Sequence, residues 1–275
     1  MEAVDKALSE WRQGDCVVGE QWFLCRFKSD LPLTDDSREV AGEGVDLAES
    51  AVRGFAVLTQ TCDIVRSCGK RPYVEVAPLV EIDSKQKLRG IQRGHMPRFG
   101  YIPGVADMSL VADLDRVMTA EKGVVASWER TPGWERDDEA RHIARALARK
   151  RTRFAFPDDF GRLAQGLHQR LQDKHDKNSP EGSALRALRE IRVRAVPSWE
   201  ADKIEITFWF IRNEDQWDFD GQSWHSLLDR WLDLVPASGR FVRVDGSVTT
   251  LSDLTAKDYV ESDPLDLDHL STRDR

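Results

Sequence analysis

The chain has 275 residues, is 40% apolar and 32% charged, and carries a formal charge of −8. That length supports one large domain or two ordinary ones with real cores, and the acidic balance excludes a protein that simply coats nucleic acid. No run of about 18 apolar residues occurs, which excludes an expected membrane span, and the acidic, amphipathic start MEAVDKALSEWRQGD lacks signal-peptide order, so a cytoplasmic protein is expected.

In chain order, residues 2–12 read as a short amphipathic helix with Val4, Leu8 and Trp11 at helical spacing. Gly14-Asp15 turns the chain into a strand over Cys16–Phe27. Lys28–Ser50 holds seven acidic residues with Pro32, Gly42 and Gly44, and reads as a long polar loop; Val45–Val52 is the one place in it for a short helix. Arg53–Ile82 then reads as a hairpin, with an apolar strand over Gly54–Leu58 and an alternating strand over Tyr73–Leu79. Between them lies a polar connection, Thr59-Gln60-Thr61-Cys62-Asp63, punctuated later by Gly69 and Pro72. That is where a small β-barrel exposes polar side chains at a mouth.

Ser84–Gly94 is basic and polar. Arg98–Ile102 and Ser109–Met118 have strand character. Helices are expected over Asp137–Arg153, which opens on two aspartates, over Pro157–Asp173, with Phe160, Leu163, Leu167 and Leu171 on one face, and over Ala184–Ile191. Ile204–Ile211, IEITFWFI, is the most hydrophobic strand and is expected to be buried on both sides. A helix over Ser223–Leu234 precedes two short strands, Phe241–Val244 and Ser247–Leu251, whose Asp245-Gly246 junction predicts a type I′ hairpin. The leucine-bearing acidic tail is expected to be docked.

The N-terminal order of elements resembles the MazF/PemK family of RNA-cleaving toxins, which are small SH3-like barrels. The resemblance rests on Gly14-Asp15, the acidic loop to Ser50, and Arg53-Gly54-Phe55-Ala56-Val57-Leu58-Thr59. Val74-Glu75-Val76-Ala77-Pro78 and Ser109-Leu110-Val111-Ala112-Asp113-Leu114-Asp115-Arg116 complete it, so it covers residues 14–120. It implies an RNA-cleaving activity in which Arg53 is the functional arginine. The family's partner hydroxyl falls at Leu79 or Val80, where this chain has none.

Together these readings predict an α+β protein. An SH3-like β-barrel occupies 1–130, a basic helical region 131–192, and a small C-terminal α/β unit with an acidic tail 193–275. Metal-free RNA cleavage needs a base, an acid and a cation. Arg53 suits the last role, or is a surface arginine paired to the acidic loop. Asp63 is a candidate base, or a turn cap. Cys62 with His95 as its base, and Asp63 or Asp107 orienting it, would make a hydrolase; a half-buried thiol is the plainer reading.

Arg141, Arg145, Arg149 and Arg153 recur every four residues along one helix face, with Lys150 and Arg151 beside them. Such a row is a nucleic-acid contact, a solvated face, or a dock for the acidic tail. His142, His168 and His175 read as surface histidines. Five of the nine tryptophans (Trp199, Trp209, Trp217, Trp224 and Trp231) crowd the third region, where core packing or a partner-protein surface accounts for them. The four cysteines, Cys16, Cys25, Cys62 and Cys68, have no C-x-x-C spacing and are expected to be thiols. No cofactor or metal is implied. The expected partners are RNA or DNA, and a protein such as an antitoxin or a defence-complex subunit.

Overall fold

The structure, a computed structural model of the full chain, describes all residues except 43, 45, 93, 95, 153, 176, 214–222 and 266–275. The protein is α+β and divides into two compact units, Met1–Arg151 and Thr152–Arg275. The helical stretch anticipated over 131–192 is therefore shared between them.

The first unit runs α1 (Glu2–Ala7), β1 (Cys16–Arg26), α2 (Asp35–Val40), β2 (Leu47–Val57), α3 (Thr61–Ile64) and β3 (Tyr73–Glu81). It continues through α4 (Lys85–Gln92), β4 (Phe99–Gly100), a 3-10 turn (Pro103–Met108), β5 (Leu110–Asp113), β6 (Met118–Glu121), α5 (Lys122–Ala126) and α6 (Asp137–Arg151). The strands pair antiparallel in the order β1-β2-β3-β5-β4, with β6 also on β3. No ladder among the described residues joins the two ends, so the sheet is open and is not a closed barrel.

Three local expectations change here. The helix anticipated at 45–52 is instead the first half of β2, whose residues alternate exposed and buried from Leu47 to Gly54. Its buried members include the small Ala48 and Ser50, so the apolar period was faint. The polar loop before it contains α2, started by a capping box between Thr34 and Ser37. The single strand anticipated at 109–118 is broken into β5 and β6, which lie one after the other along the same edge of β3. Asp113 makes the break. Its carboxylate accepts the Asp115 N–H at 3.1 Å, so the side chain replaces the ladder with a local turn. The basic segment after β3 forms α4, which buries Ile91.

The core of the first unit is divided into clusters. Phe55 and Val57 join Leu8, Trp11, Val74 and Val76 on one side, whereas Ala56 and Leu58 join Ala77, Leu79 and Ile102 on the other. Glycine makes one crossing of β1 and β2 feasible. At Gly54 the φ is +135° and a Cβ would sit 2.0 Å from the Val17 carbonyl oxygen, which no side chain could tolerate.

The second unit contains α7 (Asp158–Leu163), α8 (Gln165–His175), α9 (Pro180–Ala187), β7 (Leu188–Val196), β8 (Ile204–Arg212), α10 (Trp224–Leu232), β9 (Phe241–Thr249), α11 (Ala256–Val260) and β10 (Asp263–Leu265). Its sheet has the order β10-β7-β8-β9. The helix anticipated over 184–191 ends at Ala187, and the chain passes directly into β7, where Ile191 and Val193 take up strand alternation. On β8, Ile204, Ile206, Phe208 and Phe210 are buried on one face; on the other, Ile211 is buried while Thr207 and Trp209 are half-covered, so the two-sided burial anticipated for the whole strand holds only at its C-terminal end.

The anticipated C-terminal hairpin does not form. Asp245-Gly246 lies inside one continuous strand, β9, which runs parallel to β8 after the α10 crossover. Turn propensity is a local preference, and the full ladder to β8 outweighs it. Gly246 serves that ladder by close approach, since a Cβ there would lie 3.0 Å from the Phe208 carbonyl oxygen. The acidic tail is docked as far as it is described. β10 pairs with β7, and Arg194 of β7 reaches Asp258 at 3.2 Å.

Candidate functional site

Period-two alternation places Arg53 on the open face of the first sheet, beside Ala51 and opposite the buried Val52. There a cleft of about 680 Å³ is lined by Glu20 of β1, Arg53 of β2, Glu81 of β3, and Arg116, over a floor that includes Leu79, Val80 and Leu110. The register of β1 on β2 shifts between Val18 and Gln21, and Gly19 takes a φ of +130°. This irregularity sets Glu20 at the rim.

The two cations are held differently. Arg116 is fixed from behind: its Nε donates to Asp113 at 3.0 Å, and its guanidinium lies 5.6 Å from the centre of the Phe23 ring. Asp113 is 1% exposed and also receives Arg98 Nη2 at 3.1 Å. Burial by itself would raise the Asp113 carboxyl, but the bonds and charge of Arg98, with further donors from Asp115 and Arg116, hold it below the usual range. Arg53 is looser. Its Nη2 meets Glu81 Oε2 at 3.4 Å, with the arginine side chain 71% exposed. A solvent-open guanidinium fork beside a carboxylate can take two phosphate oxygens while the carboxylate accepts a proton.

The other anticipated residues lie elsewhere. Cys62 and Asp63 are on α3, past the end of β2, and neither lines this cleft. Cys62 Sγ stands 3.8 Å from Gln60 Oε1, and the Asp63 carboxylate pairs with Arg66 at 3.3 Å. The carbonyls of Asp63 and Arg66 accept from the buried Lys122 Nζ at 2.8 and 2.6 Å, so α3 is anchored by a cation beneath it. His95, the anticipated base for Cys62, lies outside the described residues, as does Arg153. Asp107 is exposed on the 3-10 turn.

The arginine row on α6 divides by role. Arg141 and Arg145 are exposed, with no ion pair among the described residues. Arg149 donates to the Gly94 carbonyl at 2.9 Å, Lys150 pairs with Asp115, and Arg151 pairs with Glu75. The last turn of the helix is thus tied to its own unit. The acidic tail finds its cations on β7. His142 stands edge-on to Tyr101, with ring centres 6.3 Å apart.

Sequence reading alone did not pick out Glu20, Glu81 or Arg116. Glu81 carried a signal, as the polar residue that follows the apolar run of β3 on the same face as Leu79. Glu20 depends on a strand irregularity and Arg116 on the Asp113 turn, so neither has a local signature. The positions that the MazF/PemK resemblance pairs, Arg53 and Leu79 or Val80, do line one cleft, with a carboxylate following them instead of a hydroxyl. No protein-family model matches the chain, and no curated protein matches its sequence.

Proposed function

We propose that the first unit is a MazF/PemK-like module, built on an open sheet, that engages RNA in the Arg53 cleft, within a toxin or phage-defence setting. The observation that carries this reading is the solvent-open Arg53 guanidinium, 3.4 Å from Glu81 in a cleft that also holds Arg116. In this reading Arg53 takes the phosphate, and Glu81 beside it is the base for the 2′-hydroxyl. Arg141 and Arg145 on α6 add phosphate contacts outside the cleft. The second reading is a non-catalytic interaction component. It is favoured by Trp22 and Leu24, which stand 53% and 45% exposed on the same sheet face as Arg53.

The test is incubation of the protein with a mixed labelled RNA panel at low and moderate salt, scoring cleavage and retention. Cleavage that is lost in Arg53→Ala and Glu81→Gln, and kept in Cys62→Ala, is the expected result for a nuclease. Retention without cleavage, weakened at higher salt and in Arg53→Ala, leaves an RNA-binding module. Absence of both at either salt rejects the nucleic-acid reading and leaves the interaction component.

A further inference from the structure

We infer that the free edge of β1 is a self-association site, which pairs antiparallel with β1 of a second copy about a two-fold axis through Phe23. β1 is the terminal strand of its sheet. Cys16 exchanges backbone bonds with Thr131 at 2.8 and 2.7 Å on the outer side. Beyond it no described residue bonds to the β1 backbone from that side.

The direction of the unused groups follows from one bond. Phe27 N–H donates to the Asp46 carbonyl at 3.0 Å. In an antiparallel ladder the bonding residues alternate, so Cys25, Phe23 and Gln21 turn toward β2. Trp22, Leu24 and Arg26 then direct their N–H and C=O outward. A long strand edge of this kind is a template for pairing with another chain unless charge, proline or a bulge blunts it. Between Gln21 and Arg26 the chain has no proline and no lysine, and the β1 irregularity lies before Gln21.

The side chains on this edge are self-complementary, which singles out a second copy as the occupant. Rotation about Phe23 sets Trp22 opposite Leu24 of the other copy, so two exposed apolar residues on each strand cover one another. The same rotation sets Glu20 opposite Arg26 of the other copy. Both are exposed; Glu20 has no ion pair among the described residues, and Arg26 shares Asp46. Because Glu20 lines the Arg53 cleft, the pairing delivers a third guanidinium to its rim. The pairing itself does not depend on RNA being the ligand.

Sedimentation velocity on the full chain over a concentration series, with hydrogen exchange at low and high concentration, tests this. The expected result is a dimer at high concentration in which the Trp22, Leu24 and Arg26 amides become protected, while those of Gln21, Phe23 and Cys25 are protected throughout. Trp22→Lys, at an exposed position whose fold is checked by circular dichroism, weakens the dimer about tenfold or more. Glu20→Arg weakens it, and Glu20→Arg with Arg26→Glu regains it. A chain that stays monomeric, a dimer indifferent to Trp22→Lys, edge amides that exchange equally at all concentrations, or a charge swap that regains nothing overturns the pairing.

Discussion

In the first unit the apolar side chains fall into separate clusters, in which neighbouring residues of one strand, such as Phe55 and Ala56, join different clusters. In the second unit a single cluster runs from Phe160 through Phe208 and Phe210 to Trp231, and rings meet across it, as in the 4.8 Å approach of Phe210 and Trp231. Both units bury a carboxylate. Asp113 sits at a strand break and holds Arg116 at a cleft, whereas Glu181 sits under the helices, takes Arg170 in a bidentate pair at 3.0 and 2.7 Å, and accepts Trp231 Nε1 at 3.1 Å. The contrast teaches how burial leaves room for function. A sheet whose core is divided leaves room for a solvent-open cleft lined by charges, while the second unit's single core turns its buried carboxylate to holding helices together.

The sharpest way to break this contrast is Gly54→Ala. The added Cβ meets the Val17 carbonyl at 2.0 Å with φ at +135°, and the expected loss exceeds about 4 kcal/mol. Denaturant unfolding should show the first unit's cooperative transition gone; a mild shift would mean that β1 and β2 do not close as described. Next come two of the buried carboxylates, Asp113 and Glu181. Asp113→Asn and Glu181→Gln each weaken ion pairs between a buried carboxylate and partly exposed arginines and should cost about 2 kcal/mol. Hydrogen exchange should locate the first loss in Met1–Arg151 and the second in Thr152–Arg275.

The same pair predicts acid sensitivity. Burial pushes the Glu181 carboxyl up, but the Arg170 bond, the Trp231 bond and the nearby charges outweigh it, and it lies below its usual value, as Asp113 does. A depressed carboxyl contributes stability that is complete above the unfolded value of about 4 and is lost as pH falls through the folded value. Stability below pH 4 should therefore fall less steeply in the two variants than in the wild type, as measured by unfolding at a series of pH values.

Gly246→Ala is milder. Its Cβ approaches the Phe208 carbonyl at 3.0 Å in an ordinary extended backbone, and about 1–2 kcal/mol is expected. The smallest effect on stability belongs to Arg53→Ala, within about 0.5 kcal/mol by thermal unfolding. A large loss there would make Arg53 structural and remove it from the cleft's chemistry.

Elements whose signal is local were legible from the residues alone. The strand at Cys16, the alternation from Tyr73, the helix opened by Asp137-Asp138 and the apolar IEITFWFI run all formed where period and capping placed them, because each buries its own apolar face. Wherever long-range pairing competes with a local preference, tertiary structure decided. The backbone ladder to β8 overrode the Asp245-Gly246 turn, whereas the split at Asp113 is a local side-chain bond that the apolar alternation of that stretch concealed. Small residues such as Ala48 and Ser50 hid half of β2 from any hydrophobic count. For the candidate site, the family resemblance supplied Arg53, which was expected just before a strand and lies inside β2. Glu20, Glu81 and Arg116 reach the same cleft from separate segments of the chain, and only the pairing of β1, β2 and β3 with the turn at Asp113 brings those charges together.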